Sequence, residues 1–171
     1  MKFFIADTHF NHKNIIKYCN RPFGSVEEMN RALIKNWNNV VGPNDTVYHL
    51  GDFGFGDIER IRCLLNGKIV LIIGSHDKAA KRLPHLWAEP LTPLLEITVY
   101  KQHIVLCHYA MRVWPRSHYN SWHLYGHSHG WLPGVGKAFD VGVDRCNFRP
   151  LSFCEIKGIM DQLSDNFNRV K

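Results

Sequence analysis

The sequence predicts an α/β fold of two packed β-sheets flanked by helices, and three observations lead there. The first half alternates strand-like and helix-like segments, the pattern of parallel strands joined by crossover helices. The second half is a run of short strand-like pieces separated by turns. Polar residues able to bind metals stand where the apolar strands stop, and the carboxyl ends of strands are where ligands bind in open α/β sheets.

The elements follow in order. KFFIA (2–6) is an apolar run that stops at Asp7 and reads as a buried strand. SVEEMNRALIKNWNNVV (25–41) reads as a helix, with Ser25 and Glu28 in capping-box spacing and Met29, Leu33, Ile34 and Trp37 on one face. DTVYHLGDF (45–53) reads as a second strand that ends in Gly-Asp. DIERIRCLLNG (57–67) reads as a short helix, with Asp57 as N-cap and Gly67 as its stop. KIVLIIG (68–74) is a third strand, running into Ser-His-Asp. LLEITVY, HIVLCHY, WHLYGHSHG and FDVGVD then read as short strands, and SFCEIKGIMDQLSDNF as a closing helix with a second capping box, Ser152 with Glu155.

Composition bounds the function. The chain has 171 residues, enough for one domain with a real core, and 45% of them are hydrophobic, which excludes a disordered chain. The apolar runs are too short to span a bilayer, and MKFFIADTHF lacks the features of a signal peptide. Five cysteines without a C-x-x-C pair read as free thiols, so the expected location is the cytoplasm. A net charge of +6 suits an anionic partner such as a nucleotide or nucleic acid, although the basic residues are scattered rather than blocked.

The chemistry sits in an ordered set of motifs. Asp7 and His9 follow the first strand as D-x-H. Asp52 follows the second in G-D-F-G, and Ser75, His76 and Asp77 follow the third. His108 follows HIVLC, and His127 and His129 form G-H-x-H after WHLY. A lone histidine is more often a hydrogen-bonded core or surface residue than a ligand, and D-x-H or GHSHG alone says little. The whole set at successive strand ends points to metal binding.

This set, from ADTHFNH to the helix after FRPLS, resembles the calcineurin-like metallophosphoesterases, in particular their short single-domain bacterial and phage-type members. The resemblance implies one metallophosphoesterase domain over 1–171, folded as an αββα sandwich. It also implies two divalent ions, Mn²⁺ first and Fe, Zn²⁺ or Ni²⁺ as alternatives. Asp7, His9 and His129 would bind the first ion, Asp52 would bridge, and His108 and His127 would bind the second. Ser75 stands where the family has an asparagine ligand of the second ion. His76 would contact the phosphate and protonate the leaving group, and Asp77 would orient His76.

The implied activity is hydrolysis of a phosphodiester by metal-activated hydroxide, the substrate being a nucleotide, a cyclic nucleotide or a nucleic-acid-like molecule. The alternatives are a phosphomonoesterase or protein phosphatase, and a catalytically weakened metal- or nucleic-acid-binding protein. The segment MRVWPRSHYNSWH (111–123) joins His108 to G-H-x-H and is expected beside the ions. Arg112, Arg116 and His118 are therefore expected substrate contacts, together with His12, which lies close to His9 in THFNH. His49, His85 and His103 read as structural or supporting residues.

Overall fold

The computed structural model describes residues 1–170. Strand β1 (Lys2–Ile5) pairs in parallel with β2 (Thr46–His49), and β2 with β3 (Lys68–Leu71). The helices α1 (Ile15–Tyr18), α2 (Val26–Val40) and α3 (Ile58–Cys63) make the crossovers. The short strand β8 (Leu151–Ser152) closes the other edge antiparallel to β1, giving the order β3-β2-β1-β8. The second sheet runs β4 (Leu94–Val99), β5 (Gln102–Cys107), β6 (Trp122–Tyr125), β7 (Ala138–Asp140). Its first pair is antiparallel and its other two are parallel.

Alternation along the strands builds the layers. Phe3, Ile5, Val47, Ile69 and Leu71 face Met29, Leu33 and Trp37 of α2. Their neighbours Phe4, Tyr48 and Val70 turn the other way, against Ile104, Leu106, Leu124 and Phe139 of the second sheet. Helix α5 (Phe153–Gln162) adds Phe153, Ile156 and Met160 to this inter-sheet core. The result is the expected sandwich of two mixed sheets flanked by helices.

Local details differ from the sequence expectation. The capping box of α5 is complete, but that of α2 is half formed. Ser25 Oγ accepts the Glu28 N–H at 3.1 Å, while the Glu28 carboxylate accepts the N–H of Gly24 at 2.8 Å rather than that of Ser25. Helix α3 stops at Cys63, and Gly67 (φ 85°) serves the later turn into β3. The one-turn helices α1 and α4 (Lys78–Arg82) are too short for a helical period to show in sequence. Among the described residues no helix is long and apolar enough to cross a membrane.

Candidate metal centre

Loops leaving β1, β2, β3, β5 and β6 meet at one edge of the sandwich. The backbone stitches them together: the Asp7 N–H donates to Gly51 O and the His9 N–H to Asp52 O, each at 3.0 Å. Asp7 (φ 57°), His9 (49°), Asp52 (56°), His127 (66°) and His129 (47°) all adopt the left-handed region. That conformation is uncommon for residues with a Cβ, costs of order 1–3 kcal/mol each, and concentrates at functional sites. Here five such residues, all carrying metal-competent side chains, gather at one place. The glycines of the motifs allow the approach. A Cβ on Gly126 would meet Ala6 Cβ and Asp7 Oδ2, each at 2.5 Å, and one on Gly74 would collide with Asp52.

The donors form two triads, Asp7–His9–His129 and Asp52–His108–His127, each with donor atoms within 4.8 Å of one another. Asp52 Oδ2 stands between them, 3.7 Å from His9 Nε2 and 3.4 Å from His108 Nε2. The His9 and His129 rings are 5.4 Å apart and those of His108 and His127 5.1 Å. The His108 Nδ1–H donates to Leu50 O at 2.8 Å, which aims Nε2 at Asp52. Asp7 Oδ1, both nitrogens of His9 and His108 Nε2 are buried without a hydrogen-bond partner. Orphaned polar atoms are costly and rare, so several around one point make a place fitted for cations.

The electrostatics match. Burial pushes Asp7 up to about 7, against the pull of His129 and His108. Burial also drives His9 down to about 3 and lowers His127, which leaves both rings neutral with lone pairs available. Burial works to raise Asp52, but the His108 ring, the His76 backbone N–H and the His9 ring outweigh it and hold Asp52 well below the usual carboxylate range. Burial likewise opposes His129, yet the Asp144 carboxylate hydrogen-bonded to its ring lifts it to about 10.

A layer of partners holds the donors. Arg21 is buried and grips Asp144 with Nε at 2.7 Å and Nη2 at 2.9 Å, while its guanidinium also donates to Asp7 O and Thr8 O. Asp144 accepts His129 Nδ1–H at 2.7 Å. Asp140 braces the G-H-x-H loop, accepting from Ser128 Oγ at 2.5 Å and the Gly130 N–H at 2.8 Å. Sequence reasoning passed over Arg21, Asp140 and Asp144. Two acids closing the strand FDVGVD were the available signal for the latter pair, and Arg21 had none.

The remaining expected residues divide. Ser75 lies against the second triad, its hydroxyl donating to Asp52 Oδ2 at 3.1 Å. His76 is exposed in the cleft, outside both triads, with its ring 5.9 Å from that of His9 and its backbone N–H on Asp52 Oδ1 at 2.7 Å. His12 lines the same cleft. Asp77 does not orient His76. Its buried carboxylate accepts the backbone N–H groups of Asp52, Phe53 and Gly74 at 2.7–2.9 Å, so it clamps the Asp52 turn onto the Gly74 turn.

Arg112, Arg116 and His118 do not reach the cleft. Arg112 lies over the Phe167 ring, and the His118 ring is tilted against that of Tyr119, 4.2 Å away. Trp114 and Ser121 close their loop on itself, and Asn166 bonds Ser117 and Ser121, which ties that loop to the C-terminal segment instead.

No family model matches the chain. The uncharacterized protein MJ1445 of Methanocaldococcus jannaschii is 40% identical over 162 residues, 88% of this chain and 85% of that protein. The gene 66 protein of Mycobacterium phage L5 is 38% identical over 80 residues, 43% of this chain and 38% of that protein. Among solved structures, AQ665 of Aquifex aeolicus, a protein of unknown function, superposes with a TM-score of 0.74 at 26% identity, covering 93% of this chain and 98% of that one. An archaeal phosphodiesterase shares the fold with a TM-score of 0.50 at 16% identity, over 82% of this chain and 81% of that one. The two-sheet sandwich is the fold that these solved structures share with this chain. The chain belongs to the family of MJ1445.

Proposed function

We propose that the chain is a metal-dependent phosphoesterase acting on a phosphodiester, of the nucleotide or cyclic nucleotide class, with two divalent ions, Mn²⁺ first among them. The observation that carries the reading is Asp52 Oδ2 standing between two donor triads, 3.7 Å from His9 Nε2 and 3.4 Å from His108 Nε2. Asp7, His9 and His129 would hold one ion, His108 and His127 the other, and Asp52 would reach both. Mixed imidazole and carboxylate donors suit Mn²⁺, Fe, Zn²⁺ or Ni²⁺. Such ions supply a water acidified to a pKa of about 7 and a clamp on phosphate oxygens.

The chain's own residues do the rest. The clamp by Asp77 and the left-handed turns fix the donors before substrate arrives, so no reorganisation is needed at the moment of reaction. His76, exposed and outside the triads, faces the cleft where the phosphoryl group would sit. From there it would donate a proton to the departing oxygen. The archaeal protein of like fold is a phosphodiesterase, which is in keeping with this reading.

The test is a screen of bis-p-nitrophenyl phosphate against p-nitrophenyl phosphate with each metal and with chelator. Diester turnover that needs a transition metal supports the proposal. Turnover of the monoester alone makes the chain a phosphomonoesterase, and tight metal binding with no turnover makes it a binding protein.

A further inference from the structure

The cleft over the two triads encloses about 570 Å³, and its lining holds three aromatic rings, Tyr18, Phe55 and Trp131. No lysine or arginine is among the described residues that line it. Each ring sits close in sequence to a cleft residue. Tyr18 ends α1, just after His12, Phe55 follows Asp52, and Trp131 follows His129. Phe55 forms the inner wall, its ring 4.6 Å from that of His12 and 5.7 Å from that of His76. Tyr18 meets His12 edge-on at 6.2 Å.

Two of these rings are open to solvent at the cleft mouth, and one of them is a tryptophan unlike the rest. Trp131 is 81% exposed and Tyr18 71%, whereas Trp37, Trp87, Trp114 and Trp122 are all buried at 7% or less. Large rings held in water beside a cleft offer a face to a planar ligand, and stacking of a base on such a face is worth about 10–100-fold in affinity. A strand of nucleic acid or a polyphosphate would also need cationic side chains along its path. The lining of this cleft offers histidines and rings instead.

We infer that the cleft takes a diester with a single phosphate and a nucleobase-sized aromatic group, stacked on Trp131 and Tyr18, rather than a polyanion. This rests on the phosphoesterase reading above. In the reaction, water forms a new P–O bond, the leaving oxygen departs with its bonding pair, and the water proton passes to solvent or to the leaving group.

The test compares thymidine 5′-(p-nitrophenyl phosphate) with methyl p-nitrophenyl phosphate, which share one leaving group and differ in the ring. With Mn²⁺, kcat/KM should favour the thymidine ester by about tenfold or more. The ratio should fall to near one in a Tyr18→Ala, Trp131→Ala double variant, whose side chains are exposed and carry none of the core. It should persist in Tyr100→Ala, an exposed ring outside the cleft. Trp131 is the one exposed tryptophan among the described residues, so thymidine 5′-phosphate should quench the red-edge fluorescence of the wild type and not of Trp131→Phe. Equal kcat/KM for both esters with no quenching overturns the stacking proposal and leaves the phosphoesterase reading standing. Quenching with neither ester hydrolysed supports the ring contact and overturns the phosphoesterase reading. Oligothymidylate competing far better than thymidine 5′-phosphate, with steep salt dependence, overturns the single-phosphate assignment.

Discussion

The His129 ring donates from Nδ1 to Asp144 Oδ2 at 2.7 Å, and Arg21 holds the same carboxylate from the other side. A carboxylate behind a metal-binding histidine fixes the ring's orientation and raises its basicity. Here the basicity is large, with His129 lifted to about 10.

The first prediction follows from that value. Below about pH 10 the free His129 ring carries two protons, and a ligand ring must give one up. Loading the first ion at pH 7.5 should therefore release about one proton from His129. Titration calorimetry in two buffers of different ionisation enthalpy measures it. In Asp144→Asn the ring should fall back toward the ordinary histidine value of about 6.5, and the release at pH 7.5 should largely vanish. Equal release in both proteins would separate His129 from the bound ion.

Asp52→Asn should abolish metal-dependent hydrolysis. Asp52 lies between the triads, and its charge is what can hold two cations close together. The measurement is kcat beside metal content. Near wild-type turnover at normal metal content would remove Asp52 from its bridging place.

The strand ends and their donors were legible because apolar runs stop abruptly at Asp7, Asp52, Ser75 and His108, and because G-H-x-H needs few residues to be distinctive. What escaped depended on direction rather than identity. Asp77 follows His76 in sequence, but neighbours on a turn point apart, and the nearest unpaired donors were the backbone N–H groups of Asp52, Phe53 and Gly74. Arg112 and Arg116 belong to a segment whose ends approach the donor triads, yet burial of Trp114 and bonds from Asn166 pull its middle away. Nothing in the chain before folding marks Asp7, His9, Asp52, His127 and His129 as left-handed, since none is glycine.

His76→Ala should lower turnover of an alkyl or nucleoside ester about 10²–10⁴-fold, the usual worth of general acid catalysis, while metal content holds. The motive is its place outside both triads, on the open side of the cleft. An ester with a very good leaving group needs less protonation and should suffer less. A loss of both metals to match the loss of rate would make His76 a ligand.

His49 makes a prediction about stability. Thr8 Oγ1 donates to Phe53 O at 2.7 Å, so its contact with His49 Nε2 at 2.9 Å must be an N–H donated by the ring. The ring is fully buried and neutral, and burial lowers it to about 3. The unfolded chain binds a proton here near the ordinary pKa of about 6.5 and the folded chain does not. Stability is therefore complete above that value and declines by up to about 1.4 kcal/mol per pH unit as pH falls toward 3. Asp7, raised to about 7, acts with the opposite sign, so the difference between wild type and His49→Gln isolates His49. Denaturant midpoints at pH 7, 5.5 and 4.5 should converge as pH falls, and parallel profiles would contradict the assignment.

Ser75 makes the last prediction. Its hydroxyl reaches Asp52 Oδ2 at 3.1 Å and Oδ1 at 3.4 Å, on the side of the Asp52–His108–His127 triad. A serine hydroxyl is a shorter and poorer ligand than the asparagine carbonyl that the family resemblance places here. The first ion would have Asp7, His9, His129 and Asp52, whereas the second would have only Asp52, His108 and His127 with Ser75 or water. The two sites should therefore differ in affinity, and the second should empty first under a chelator. Ser75→Asn should tighten the second site by about 10–100-fold, the scale on which even supporting groups act, and raise activity where metal is limiting. Competitive metal titration of both proteins, read as two binding steps, decides it. Two sites of equal affinity in the Ser75 chain, unchanged by Ser75→Asn, would mean that position 75 touches Asp52 alone and holds no ion.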